Sequence, residues 1–183
     1  MDILFGGIDF PFDFLHSEMV SLFSEIEMKP SDKSTSDADF HFDSPVFKPT
    51  ASTKLNFMGF RVGYALAERI SKDFPRFTTE LDCMKFICKD FWLGVFKKQV
   101  DNLRTNHQGT YVVQDNQFRP LVPLCTNSTS KLDDNVIQRY IAFTCGLIRG
   151  ALANIGILTQ TTAEISPSFP GVRFSIVVVQ NGR

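Results

Sequence analysis

Tryptophan occurs once and histidine three times in 183 residues, and the shortage of histidine already narrows the chemistry. His16, His41 and His107 lie in a helical stretch, a polar loop and a corner, and none has a plausible Cys, Ser or carboxylate partner in local sequence that would mark a nucleophile and base. There is no G-x-x-x-x-G-K-S/T, G-x-G-x-x-G, H-E-x-x-H or G-x-S-x-G. Asp82, Asp90 and Asp101 alternate with lysines and read as a solvated helix face. Lys97, Lys98 and Arg104 are a short basic patch of the kind common on surfaces. No catalytic residue, cofactor site or metal site is therefore expected, and the chain reads as a non-enzyme.

The four cysteines, Cys83, Cys88, Cys125 and Cys145, form no C-x-x-C and have no histidine at a zinc-like offset. Three of them sit in helical patterns as small apolar residues. The net charge of −1 gives no overall attraction to nucleic acid or to an anionic membrane. No apolar run reaches the length of a membrane span, the best candidate, 140–148, being stopped by Arg149. Residues 1–14 carry three Asp and no Lys or Arg, unlike a secretory signal, so a cytosolic location is expected.

What is plentiful is phenylalanine, 19 residues in all, and its distribution is unusual. In 80–104, Leu81, Met84, Ile87, Cys88, Phe91 and Val95 fall in one apolar sector of a helix. On the opposite side Phe86, Leu93, Phe96 and Val100 form a second apolar row. A helix apolar on two opposed faces is sandwiched inside its own domain or shared with another molecule.

The remaining segments arrange themselves around that helix. Residues 1–12 are an apolar lead-in broken by Gly6, Gly7 and Pro11. A first helix over 13–27 carries the stripe Leu15, Met19, Leu22, Phe23 and Ile26. Residues 29–54, rich in Ser, Thr, Asp, Lys and Pro without period, read as a disordered surface insert. A second helix over 56–70 has Leu55, Met58, Val62, Leu66 and Ile70 on one stripe, Phe57, Phe60 and Tyr64 on the far side, and Gly59 and Gly63 one turn apart. Two such glycines cost about 1 kcal/mol each relative to Ala, which close approach of another backbone would offset. Thr79 with Asp82 forms a capping box for the third helix, expected to run to Arg104.

Beyond it, the pattern predicts a hairpin with strands 110–114 and 118–124, the second an edge strand because of Pro120 and Pro123. A fourth, mostly apolar helix over 134–155 ends at Gly156 and carries the small residues Ala142, Gly146, Gly150 and Ala153, a stripe for tight packing rather than a ligand groove. A second hairpin, 160–166 and 172–180, closes the chain. The order ααα-ββ-α-ββ predicts an α+β fold, four main helices on one face of a four-stranded twisted antiparallel sheet, forming a single domain over 1–183.

Several longer strings carry a family likeness. Phe86 to Trp92 (FICKDFW), Lys97-Lys98-Gln99, Asp101 to Tyr111 (DNLRTNHQGTY), Gln114-Asp115-Asn116, Gly59 to Gly63 (GFRVG) and Phe143 to Leu152 (FTCGLIRGAL) closely resemble the small-subunit family of the TRAPP vesicle-tethering complex, in its subunit-6 branch, from about Leu55 to Val179. The resemblance implies helices over a twisted antiparallel sheet. It also implies a heterodimer with the founding paralogue of the family, contact with other TRAPP subunits, and an indirect link to a Rab GTPase through the exchange activity of the complex. Location would be cytoplasmic, peripheral at Golgi and ER–Golgi membranes.

Pairing in that family is attributed mainly to the first two helices. The resemblance thus places the partner interface at Leu15, Met19, Leu22, Phe23, Phe57, Phe60 and Tyr64, to which the second row of the third helix (Phe86, Leu93, Phe96, Val100) is added from the periodicity. The founding paralogue carries an acylated cysteine just before the third helix. Here that region reads Phe74-Pro75-Arg76-Phe77, and no covalent acyl group is expected there. The alternative reading is a lipid- or small-molecule-binding α+β domain whose pocket is lined by the small-residue stripe.

Overall fold

A computed structural model of the chain describes residues 10–28, 49–106, 108–126 and 134–179. His41, His107 and almost all of the insert lie outside them.

Helix α1 (Phe10–Met28) starts three residues before the predicted Asp13, with Pro11 in the first turn, where a missing N–H costs nothing. Helix α2 (Ala51–Ser71) begins where the Thr50 hydroxyl accepts the amide hydrogen of Thr53 at 3.3 Å. Residues 51–54, read from their Ser/Thr content as loop, are thus its first turn, and Ala51 and Leu55 are buried.

The third helix is three short pieces end to end: α3 (Glu80–Phe86), a π-helical turn (Ile87–Phe91) and α4 (Trp92–Phe96). Thr79 starts it as expected. Its hydroxyl accepts from the Asp82 amide at 3.1 Å and donates to the Asp82 carboxylate at 2.7 Å. The helix stops at Phe96, eight residues short of the predicted Arg104, because Lys97 turns left-handed (φ 59°). The amide of Val100 then bonds back to the Cys88 carbonyl. Residues expected to be the helix end form strand β1 (Asn102–Thr105), paired antiparallel with β2 (Thr110–Asp115).

The predicted returning strand 118–124 is absent. Its place is taken by a 3-10 turn (Arg119–Leu121) and the short helix α5 (Val122–Thr126), because Pro120 cannot donate to a ladder but fits the first turn of a helix. Helix α6 (Asp134–Asn154) ends at Gly156 in the left-handed region (φ 96°). Strands β3 (Thr159–Ile165) and β4 (Val172–Val178) complete an antiparallel sheet of order β1-β2-β4-β3. The α+β class, the four-stranded antiparallel sheet and the broad element order match expectation, although one of the four strands comes from a different stretch.

One face of the sheet is buried: Tyr111 and Val113 of β2 and Val172, Phe174 and Ile176 of β4 alternate with exposed or half-buried Val112, Gln114, Arg173, Ser175 and Val177. Trp92 sits on this face, its ring centroid 5.6 Å from Phe174 and 4.6 Å from Phe96. Its indole N–H donates to the Asp115 carboxylate at 2.9 Å, which also accepts from Lys98 at 2.5 Å and from the Gln117 amide at 3.0 Å. Asp115 is fully buried, so these three donors replace the water it has lost. Lys98, read in the sequence as part of a surface patch, instead ties the end of α4 to the end of β2.

The closest contact in the fold joins α2 and α6. A Cβ built on Gly59 would lie 2.0 Å from the Phe143 carbonyl oxygen and one on Gly63 2.0 Å from that of Leu147. Gly146 and Gly150 face the carbonyls of Asn56 and Phe60 at 1.9 and 2.0 Å in the same way. Partner positions rise together along both helices, so the two run parallel, with four glycines interlocked. Backbones this close meet through Cα–H and carbonyl groups, and Asn56 adds a side-chain bond to the Ala142 carbonyl at 3.1 Å. The close approach expected of both glycine stripes is one interface.

Candidate interaction surface

Helix α1 lies against α2, α6 and the 3-10 turn, but not by the stripe that its sequence emphasises. Its buried line is His16 and Val20, with Phe12 beside them; Met19 and Phe23 are half-buried at the flank. Leu15 and Leu22 stand 59% and 54% exposed, joined by Phe14 and Ile26. On α2, Phe57 is 60% and Tyr64 44% exposed, while Phe60 is half-buried between them. Positions 57, 60 and 64 share one helix face. Among the described residues two apolar rows thus stay uncovered on neighbouring helices; Leu15, Leu22, Phe57 and Tyr64 in them are side chains predicted for the interface, Phe14 and Ile26 are not, and the predicted Met19, Phe23 and Phe60 are half-buried.

The row added from the third helix requires correction. Phe86 is 3% and Phe96 1% exposed. Phe86 packs edge-on to Phe74 at 5.3 Å and on Phe77 at 5.1 Å, and Phe96 packs on Phe118 at 5.4 Å and Phe12 at 5.9 Å. The helix is sandwiched within its own domain, its π turn breaking the strict 100° period so that both faces meet protein. Val100 is half-buried in the chain beyond the helix and only Leu93 is exposed. In the sector expected to face the core, Met84, Ile87, Phe91 and Val95 are buried and Cys88 is half-buried, but Leu81 is 39% exposed.

At the N-terminal half of α2 the apolar row runs into a groove of about 250 Å³ lined by Phe57, Phe60, Arg149, Ala153, Leu158 and Thr159. The Arg149 guanidinium lies 5.2 Å from the Phe60 ring centroid, a cation–π contact at the groove wall. Sequence reading missed this pairing, because nothing in the spacing of residues 60 and 149 shows that α2 and α6 run parallel in this register. The alternative pocket along the small-residue stripe is filled at Gly146 and Gly150 by the backbone of α2.

The titratable interior offers little chemistry. His16 is 1% exposed, and burial lowers its pKa to about 4 against a smaller opposing influence of the Tyr140 backbone. Neither ring nitrogen has a partner in hydrogen-bonding geometry, and the ring rests on Phe143 at 4.6 Å and Tyr140 at 5.0 Å. The neutral ring thus serves as packing. Burial pushes the Cys88 and Cys145 thiols up to about 12, so both are protonated and poorly nucleophilic at neutral pH. Among the described residues no group of three His, Cys, Asp or Glu could hold a metal ion, and no helix is long and apolar enough to cross a membrane. Between α2 and α3 the segment Phe74-Pro75-Arg76-Phe77 contains no cysteine; Cys83, the next along the chain, is buried within α3.

Comparison with known proteins agrees with this architecture. The family model described as transport protein particle (TRAPP) component matches residues 12–179. The trafficking protein particle complex subunit 6b of Danio rerio is 48% identical over 167 residues, 91% of this chain and 94% of that protein. Subunit 6B of Mus musculus is 59% identical over 126 residues, covering 69% and 77%, and subunit 6A of Homo sapiens 41% over 167 residues, covering 91% and 94%. Among solved structures, a trafficking protein particle complex subunit 3 from Naegleria fowleri, covalently bound to palmitic acid, superposes with a TM-score of 0.58 at 16% identity, covering 93% of this chain and 96% of that one; this likeness speaks for the fold. The chain belongs to the TRAPP component family, in the branch of its subunits 6A and 6B.

Proposed function

We propose that this chain is a non-catalytic scaffold subunit of a TRAPP-type vesicle-tethering complex, joined to a paralogous small subunit through the outer faces of α1 and α2. The observation that carries the reading is the pair of apolar rows left open on the neighbouring helices α1 and α2. Phe14, Leu15, Leu22, Ile26, Phe57 and Tyr64 are each 44–60% exposed, and monomers rarely leave so much apolar surface together without use. Covering about half of each side chain contributes roughly 1 kcal/mol apiece. That sum lies at the low end of the roughly 4–15 kcal/mol lost in association, so polar contacts at the ends of the rows are needed as well.

In this role the subunit contributes surface rather than chemistry to the assembly's guanine-nucleotide exchange on a Rab GTPase. It resides in the cytoplasm and reaches Golgi and ER–Golgi membranes only through the complex. Its single domain spans 1–183 with the insert 29–54 between α1 and α2. The test is co-expression with the founding paralogue, followed by size exclusion with light scattering. A 1:1 complex is expected. Leu22→Asp or Phe57→Asp, both at exposed sites, should abolish it without loss of helix and sheet content, and unchanged assembly of both variants would refute the chosen faces.

A further inference from the structure

Arg149 is the single charged residue lining the groove at the N-terminal half of α2, and the rest of the lining is Phe57, Phe60, Ala153, Leu158 and Thr159. Among the described residues no carboxylate lies within ion-pairing distance of it; its guanidinium is held only against the Phe60 ring. Arg61, the residue after Phe60, is itself cationic and exposed, so no acid compensates from the adjacent position of α2. The groove, about 250 Å³, falls below the roughly 300–1,000 Å³ of pockets that take small molecules. It has room for one large side chain, the kind of cavity that receives an anchor residue of a protein partner.

Phe57 and Phe60 belong both to this groove and to the apolar row of α2, so a partner that covers the row also covers Arg149. A guanidinium deprived of water without an anion is strongly unfavourable. A carboxylate accepts its planar fork in two parallel hydrogen bonds. One fixed cation in an apolar lining suits one carboxylate better than a phosphate, whose sites gather several cations and backbone amides.

We propose that this groove receives an acidic anchor of the partner subunit: a large apolar side chain seated between Phe57, Phe60 and Leu158, with an Asp or Glu within a residue or two of it forked onto Arg149. The inference rests on the heterodimer reading and specifies its chemistry at one end of the interface.

The experiment measures binding of the full chain to the founding paralogue by titration calorimetry at two salt concentrations. The chains compared are wild type, Arg149→Met, Arg149→Glu and Leu22→Asp, with thermal melts confirming that each is folded. Methionine keeps an apolar stem over Phe60 and removes only the charge. The expected result is about 10- to 100-fold weaker binding for Arg149→Met, with a reduced salt dependence. Arg149→Glu should lose binding and regain it when one acidic residue of the paralogue is changed to Lys. Arg149→Met binding within twofold of wild type, with the same salt dependence, overturns the inference. If Leu22→Asp abolishes binding while Arg149→Met does not, the heterodimer reading stands and the anchor falls. If Leu22→Asp binds like wild type, the interface reading falls, and the Arg149 variants decide the anchor separately. Tighter binding both by Arg149→Met and by a chain lacking residues 37–43 (DADFHFD) would mean that the groove is occupied in cis, which also overturns it.

Discussion

Replacing Gly63 by Ala tests the α2–α6 contact most sharply, because two large effects oppose each other in sign. In an exposed helix interior the change stabilises by about 1 kcal/mol. Here the new methyl group would lie 2.0 Å from the Leu147 carbonyl oxygen and 2.7 and 2.8 Å from its carbonyl carbon and Cα, whereas real Cβ atoms essentially never approach closer than 3.0 Å. The opposing atoms are backbone, so no rotamer change relieves the clash, and the helices must part locally by about 1 Å. A gap of that size forfeits a quarter to a half of each dispersion contact along the seam, and overpacking of this kind typically costs about 1–3 kcal/mol and sometimes more. With backbone on both sides the upper end applies. After subtracting the gain in helix propensity, a net loss of about 2 kcal/mol is expected, a fall in Tm of roughly 4–8 °C at this chain length. Gly94→Ala is the control. Its Cβ meets only the tip of Ile70, at 2.8 Å, and Gly94 is exposed, so that variant should be neutral or up to about 1 kcal/mol more stable. Melts of Gly63→Ala and Gly94→Ala with equal Tm would refute the claim that the glycines are required by contact.

Other consequences follow from the interior polar groups. His16 has a folded pKa near 4 and an ordinary value of 6.5; the unfolded chain therefore binds a proton that the folded chain refuses, and stability falls as pH drops through that window, by about 3 kcal/mol at pH 4. In denaturant titrations His16→Leu should lose this component of the pH slope while keeping the slope due to carboxylates, and identical slopes would contradict it. Asp115→Ala strands the buried indole N–H of Trp92 and frees Lys98, for an expected loss of about 2–4 kcal/mol. Trp92→Phe in the Asp115→Ala background should cost less than it does alone, and strict additivity would refute the coupling. Cys88 and Cys145, with thiols pushed up to about 12 by burial, should resist a maleimide in the folded protein and react fully once unfolded; fast labelling of either without denaturant would contradict their placement.

The long helices and the C-terminal hairpin were legible because their periods are intact and their ends carry Thr79, Gly156 or a Pro-rich connection. The third helix reads too long in the sequence because Val100 and Arg104 continue its period and no Gly or Pro follows Gly94 before Gly109. The stop is Lys97 in a left-handed conformation, rare outside Gly and Asn and invisible in composition. The strand assigned to 118–124 was misread for the opposite reason: apolar residues flank Pro120 and Pro123, and the prolines signal helical first turns as readily as an edge. Of the candidate surface, Leu15, Leu22, Phe57 and Tyr64 were named from sequence and are exposed, whereas Phe86 and Phe96 were named and are enclosed. Both sets have the same apolar spacing. What separates them is the π turn at Ile87–Phe91 and the layers packed on either side, which are properties of the assembled fold. The Arg149–Phe60 contact and the Asp115 network join residues 89 and 23 positions apart in sequence, beyond the range of any local pattern.

Hydrogen exchange of the chain alone and in equimolar mixture with its founding paralogue is the most direct measurement of the shared-surface claim. New protection is expected over residues 14–26 and 57–64 and around the groove residues Arg149 to Leu158, with the remainder of α6 and of the sheet unchanged. Protection confined to other segments, or none at concentrations where a complex elutes, would contradict it.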